Sequence, residues 1–247
     1  DQYKALFDDS SVMKGKSNYT CAVDTRFQVD TAPCIFTPKM KDDCQCSKKC
    51  PYYNARNETL TNKFGVLNYS MFLSLPEHVR HREYLVCDEA SELEDEIVKR
   101  FSRDLNYKIL KKLNCTFPIP SNDYSKFYIW LLELIQNLTA EVNALKSLLK
   151  KKKDAPQSER QRLVAYSTLL LSMQTTIDTW EDCEYVIEKG KESIKLTPYK
   201  VDTLSKHIFD YGKKVLLLSA TIIDHQNFAK TLGIKKYKYI EIDSSFD

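Results

Sequence analysis

Two segments of this chain combine residue types that could act on a bound phosphate anhydride. The apolar run Leu85-Val86-Cys87 ends in the adjacent acids Asp88 and Glu89. A strand with that ending suits a nucleotide triphosphate site. The first carboxylate holds magnesium, directly or through water, and the second polarises the attacking water. The second segment is Lys213-Lys214-Val215-Leu216-Leu217-Leu218, which reads as a buried strand and runs directly into Ser219-Ala220-Thr221. Those small hydroxyl residues could couple the acids to whatever moves on hydrolysis. An Asp-Glu pair taken alone reads more readily as a solvated strand end, and it is the second segment that gives it weight.

The cysteines carry a separate chemistry. Cys21, Cys34, Cys44, Cys46 and Cys50 crowd into residues 21–50, whereas Cys87, Cys115 and Cys183 lie apart. The clustering argues for a metal centre. A disulfide framework is needed most by chains too small for a core, and this chain has 247 residues, 43% of them hydrophobic. The sequons at Asn18, Asn57, Asn68, Asn114 and Asn137 favour a third reading, a secreted disulfide-bonded glycoprotein. Cys87, inside the run before Asp88, reads as a small core residue.

Composition excludes several classes. Thirty-seven Lys and Arg against 34 Asp and Glu give a net charge of +3, too balanced for a basic nucleic-acid tail, so any polyanion site is local. The apolar stretch at residues 163–177 is interrupted by hydroxyl residues and is too short to span a bilayer. The first residues carry acids and no apolar signal region, and the absence of an initiating Met hints at a fragment. With only 5 glycines a phosphate-cradling loop is hard to build. Gly15-Lys16-Ser17 reads as a decoy: Ser10 stands where that loop needs Gly, and residues 8–13 do not read as a buried strand.

The elements that must position these residues follow from periodicity. Residues 20–51 show almost no helical or alternating pattern, so something other than a core must hold them. Residues 52–60 read as a helix, 65–69 as a short strand, 83–89 as a strand and 92–101 as a helix. Leu131, Ile135, Leu138, Val142, Leu145 and Leu149 form one helical seam. Leu163, Leu170, Met173, Ile177 and Trp180 form a second after the polar break at residues 150–156, which predicts an antiparallel hairpin. Residues 203–211 and 224–232 read as helices, the latter stopped by Gly233, and 237–242 as a last strand. Strands alternating with helices at both ends imply an open α/β sheet with the hairpin inserted between two of its strands.

At these residues the chain resembles the XPD/DinG-type superfamily 2 DNA helicases with an iron–sulfur cluster. Leu85-Val86-Cys87-Asp88-Glu89-Ala90-Ser91 is similar to the family's DEAH box, with Ser91 in place of the usual His, and Leu218-Ser219-Ala220-Thr221 to its Ser-Ala-Thr motif. Residues 14–21 resemble the approach to the first cluster ligand, and Cys50-Pro51-Tyr52-Tyr53 the surroundings of the last. The resemblance implies part of a RecA-like parallel-sheet motor domain, comprising residues 1–19, 57–104 and 196–247. An irregular cluster insertion at 20–56 and a helical arch-like insertion at 105–195 would interrupt it. It implies Asp88 and Glu89 as catalytic residues, with Ala90, Ser91, Ser219, Ala220 and Thr221 coupling ATP to DNA. A [4Fe–4S] cluster would be held by Cys21, Cys34, Cys46 and Cys50, with Cys44 as the alternative to Cys46. Four thiolates suit iron, and suit structural zinc equally, so a zinc-stabilised nucleic-acid-binding module without motor activity is the second reading. Candidate DNA contacts are Lys48, Lys49, Tyr52, Tyr53 and Arg56, because phosphates need cations and bases stack on rings. The expected protein is an ATP- and Mg2+-dependent helicase, monomeric, on single-stranded or forked DNA, 5′ to 3′. It is intracellular, cytoplasmic or nuclear, with no membrane partner. A phosphate loop upstream and a second motor domain downstream would complete it, so the fragment alone is expected to be inactive.

Overall fold

The structure is a computed structural model that describes residues 9–32, 34, 49–116, 123–151 and 156–243. The chain forms two compact units, residues 1–80 with 149–164 and residues 81–148 with 165–247. The fold is mixed α/β, with a parallel strand pair in each unit.

In the first unit, β1 (Ser10–Val12) runs parallel to β2 (Phe64–Val66), with Ser10 beside Phe64 and Val12 beside Val66. This corrects the sequence reading of residues 8–13, since Ser10, Ser11 and Met13 are all buried. Buried serines escape a hydrophobicity pattern when their hydroxyls are satisfied. Here Ser11 Oγ donates to Glu58 Oε1 at 3.2 Å and accepts from Asn62 Nδ2. Glu58 belongs to α1 (Pro51–Thr61), which starts with Pro51 in its first turn and Cys50 as N-cap. β2 is followed by Asn68, whose side chain accepts from the Met71 N–H at 2.8 Å and so caps α2 (Tyr69–Ser74). Gly15 precedes a single 3-10 turn, Lys16–Asn18, rather than opening an α-helix, in keeping with its reading as a decoy.

In the second unit, β3 (Arg82–Cys87) pairs in parallel with β7 (Gly212–Leu217), Tyr84 opposite Lys214 and Cys87 opposite Leu217. Residues 88–211 are therefore inserted between two directly bonded strands, as the pattern of helices between apolar runs predicts. A 3-10 turn, Ala90–Glu92, leads into α3 (Leu93–Phe101), which buries Leu93, Ile97 and Phe101 at four-residue steps. Its first turn carries Glu94, Asp95 and Glu96 and its last Lys99 and Arg100, which complements the helix dipole.

Within the insertion, α4 (Tyr107–Lys112) precedes the long helices α5 (Tyr124–Lys151) and α6 (Gln157–Asp178). Of the expected seam on α5, Leu131, Leu138, Val142 and Leu145 are buried and Ile135 and Leu149 half-buried; on α6 Met173 is buried. Trp180, just past α6, lies parallel to the rings of Phe127 and Tyr185 at 5.9 and 5.7 Å. Periodicity misses the antiparallel sheet beside them, in the order β4 (Arg103–Asn106), β6 (Ser193–Pro198), β5 (Tyr185–Lys189). Ile194 and Leu196 alternate into its core.

Residues 203–211 hold only a short helix, α7 (Lys206–Phe209). α8 (His225–Thr231) is capped by Asp224 and ends before Gly233, whose φ of +67° is the left-handed backbone that glycine supplies most cheaply. The expected strand at residues 237–242 does not form; Ile240 and Ile242 are 67% and 87% exposed. Alternation alone does not make a strand, whose N–H and C=O groups need a neighbour, and no described residue forms a ladder with this segment.

Candidate functional site

Two constellations stand out, one in each unit. In the second, the carboxyl end of β3 delivers Asp88 and Glu89 to the surface, where parallel strands commonly place their ligands. The pairing with β7 continues past both strands: Leu218 N–H donates to Cys87 O at 2.9 Å, and Ala90 N–H donates to Leu218 O at 2.8 Å. These bonds pin the acidic turn to the Ser-Ala-Thr segment. Cys87 and Ala90 are buried on either side of the acids, so the turn is anchored at both ends while the carboxylates stay exposed. Asp88 Oδ1 accepts from the Glu89 N–H at 3.0 Å, and Glu89 itself is left-handed, at φ 49° and ψ 46°. A non-glycine residue there costs on the order of 1 kcal/mol or more, strain that persists only where its surroundings enforce it.

Ser91 closes the arrangement. Ser219 Oγ donates to Ser91 Oγ at 3.0 Å, Thr221 Oγ1 donates to the same oxygen at 3.1 Å, and Ser219 Oγ lies 3.2 Å from Thr221 Oγ1. Thr221 N–H also donates to Ser219 Oγ at 3.2 Å. Three hydroxyls thus join the turn after the acids to the turn after β7. None of them titrates in the ordinary pH range, unlike an imidazole at the same place. Ala220 is exposed and makes no side-chain bond in this triangle.

In the first unit, the buried thiols of Cys21, Cys34 and Cys50 line one cavity with Ala22, Val23, Val29 and Ala32. Cys21, Ala32 and Cys34 form a small apolar cluster against Phe27. The backbone that brings them together is irregular: Cys21 N–H donates to Phe27 O at 2.9 Å, Val29 N–H donates to Tyr19 O at 2.8 Å, and Thr20 bridges Gln28. Cys44, Cys46 and Lys48 lie outside the described residues. Among the described residues no three His, Cys, Asp or Glu side chains are drawn together tightly enough to hold a single metal ion. Three thiols thus line one apolar cavity, on backbone with little other core. The six described cysteines are all free thiols. Cys87, Cys115 and Cys183 belong to the other unit; burial pushes the thiols of Cys115 and Cys183 up from their ordinary range.

Beside α1 a groove of about 410 Å3 is lined by Lys16, Tyr52, Tyr53 and Arg56 together with Ser70 and Ser74 of α2. Tyr19, Tyr52 and Tyr53 meet edge to face, with centroids 5.8 and 5.3 Å apart, and Lys16 Nζ stands 5.4 Å from the Tyr52 ring centre. Burial pushes the Tyr52 phenol up, opposed by the charge of Arg56. The structure brings together three of the residues expected to contact DNA. It leaves the fourth described one, Lys49, exposed outside the groove lining. It adds Lys16, Ser70 and Ser74, which the sequence reading missed. The Ser residues show no signal in sequence, but Lys16 sits one turn from Tyr19 in a basic and aromatic stretch.

No helix among the described residues is long and apolar enough to cross a membrane. No protein-family model matches the chain, and no curated protein sequence does. Solved structures do match. One titled "XPD Helicase" has 16% identity and a TM-score of 0.50 over 92% of this chain and 48% of that one. Another, "Truncated XPD", has 15% identity and a TM-score of 0.53 over 98% and 82%. The chain thus spans about half the length of the first, and at these identities the likeness is one of fold. The fold of this chain, mixed α/β with a parallel strand pair in each unit, is similar to that of these two structures.

Proposed function

We propose that this chain is part of the first motor domain of an ATP-dependent DNA helicase that moves 5′ to 3′ on single-stranded DNA. The observation that carries this reading is the hydrogen-bonded union of the Asp88-Glu89 turn with Ser219-Ala220-Thr221 through Ser91. In it, Asp88 holds the magnesium of ATP, Glu89 orients the attacking water, and the hydroxyl triangle transmits any shift of the acidic turn to the segment after β7. The chain spans about half the length of the first of the matched structures, and ATP hydrolysis is proposed for the whole protein.

Cys21, Cys34 and Cys50, with Cys46 or Cys44, would hold a [4Fe–4S] cluster that cross-links a segment with almost no core of its own. The groove of Tyr52, Tyr53, Arg56 and Lys16 would carry one DNA strand by stacking and by phosphate contact, and Lys48 and Lys49 are proposed as further phosphate contacts. Free buried thiols suit a reducing compartment, the cytoplasm or the nucleus.

The test is Ser91→Ala in the complete motor. It removes the shared acceptor of two hydrogen bonds without touching either carboxylate. DNA-stimulated ATP hydrolysis should persist within a few-fold while strand separation per ATP falls about tenfold, as expected for loss of roughly 1.4 kcal/mol of coupling. Unchanged unwinding per ATP would show that the triangle transmits nothing.

A further inference from the structure

The segment after α8 carries a feature that neither the acidic turn nor the thiol cavity uses. Residues 224–240 hold Lys230, Lys235, Lys236 and Lys238 against a single carboxylate, Asp224. That carboxylate is occupied in capping α8, its Oδ1 accepting from the N–H groups of Gln226 and Asn227 at 3.0 Å each. Lys235, Lys236 and Lys238 are exposed, and none forms a salt bridge among the described residues. The next acids are Glu241 and Asp243, and Glu241 faces the Tyr239 phenol, which burial and this carboxylate together push up.

Tyr237 stands between Lys236 and Lys238, and Tyr239 follows Lys238. Tyr239 stacks on His225, with centroids 4.0 Å apart and planes 16° from parallel. His225 Nδ1 lies 3.0 Å from the Tyr237 hydroxyl, which fixes the imidazole from its edge. Despite these contacts Tyr237 and Tyr239 remain 48% and 41% exposed. Rings held in place, left open to solvent and interleaved with unpaired cations are what unstacked bases and their phosphates require. A duplex offers no base faces to such rings, and an acidic peptide would use the lysines but not the stack.

We infer that Tyr239 and Tyr237, held by His225 and flanked by Lys235, Lys236 and Lys238, form a stacking site for single-stranded nucleic acid, additional to the groove beside α1. The inference rests on the reading that this protein engages a single strand, and it names a second place where it does so. Tyr239 supplies a ring face to one base, and the three lysines contact the adjoining phosphates. Because stacking tolerates any base, the site should bind without sequence preference.

The test is binding of a fluorescein-labelled oligo-dT strand to the 247-residue chain without nucleotide, followed by anisotropy over a salt series. Tyr239→Ala should weaken binding about tenfold, the loss of one stacked base, whereas Tyr239→Phe, which keeps the ring, should bind as wild type. The triple variant K235Q/K236Q/K238Q alters only exposed side chains and should keep the fold. It should reduce the slope of log affinity against log salt by about 2, as three phosphate contacts are lost. Arg56→Gln serves as the comparison. If it weakens binding while the Tyr239 and lysine variants bind as wild type, the inference is overturned and the proposed function stands. The segment then serves instead to pack against protein. If wild type binds no single strand at all, the reading on which the inference rests falls with it.

Discussion

Glu89→Gln in the complete motor should lower DNA-stimulated ATP hydrolysis by about 10²- to 10⁴-fold while leaving ATP binding in place. The amide keeps the size of the side chain and can still accept a hydrogen bond, but it cannot take charge from the attacking water. Glu89 is exposed beside a backbone held left-handed, so the substitution disturbs no packing and its effect should be confined to the chemical step. Asp88→Asn should differ in kind. An amide oxygen is a poorer ligand for a hard divalent cation, so magnesium-dependent nucleotide binding should weaken as well. Asp88 also accepts the Glu89 N–H, a bond that Asn can retain through its carbonyl, which keeps the turn intact. Nucleotide-binding and single-turnover hydrolysis assays separate the two variants. Near wild-type turnover of the Glu89 variant would reduce the acids to a solvated strand end.

The second large effect concerns the thiols. The anaerobically purified protein should be brown, with about four irons per chain. Cys21→Ser or Cys50→Ser should each remove the colour and make residues 20–56 sensitive to protease. The only regular support the described part of that segment has is a single strand bridge and the start of α1. Cys115→Ser and Cys183→Ser should leave colour and protease resistance unchanged, since both residues belong to the other unit. Metal analysis with limited proteolysis reads both outcomes, and stoichiometric zinc without iron would replace the cluster by the zinc-bound module.

How much of this was legible in the sequence depended on whether a residue's role is local. The acidic turn and the Ser-Ala-Thr segment each follow an apolar run, so strand and chemistry are adjacent in the chain and could be read together. Their joining was not legible, because Ser91 and Thr221 are distant in sequence and meet only through the register of β3 on β7. Strand β1 was missed because its buried residues include Ser10 and Ser11, and Ser11 is accommodated by hydroxyl hydrogen bonds rather than by being apolar. The sheet of β4, β5 and β6 was missed because β4 reads Arg-Asp-Leu-Asn, with one apolar residue, and gains its place from pairing with β6. The seam on α5 was legible because a helix meets its own neighbours at fixed spacing. At residues 237–242 the failure ran the other way: the alternation was present and a partner strand was not. In the thiol cavity Cys21 and Cys50 could be picked from their flanking residues, but the groove's Ser70 and Ser74 come from a helix with no signal of its own.

The most direct test of the motor reading is strand separation on forked duplexes by the complete protein. A fork with a 5′ single-stranded tail should be unwound with ATP and magnesium, and neither a fork with only a 3′ tail nor a blunt duplex should be. The same 5′-tailed fork should stay paired with a non-hydrolysable ATP analogue, although the protein binds it. Tight binding of the tail with no ATP hydrolysis and no strand separation would contradict the account and leave a nucleic-acid-binding module in its place.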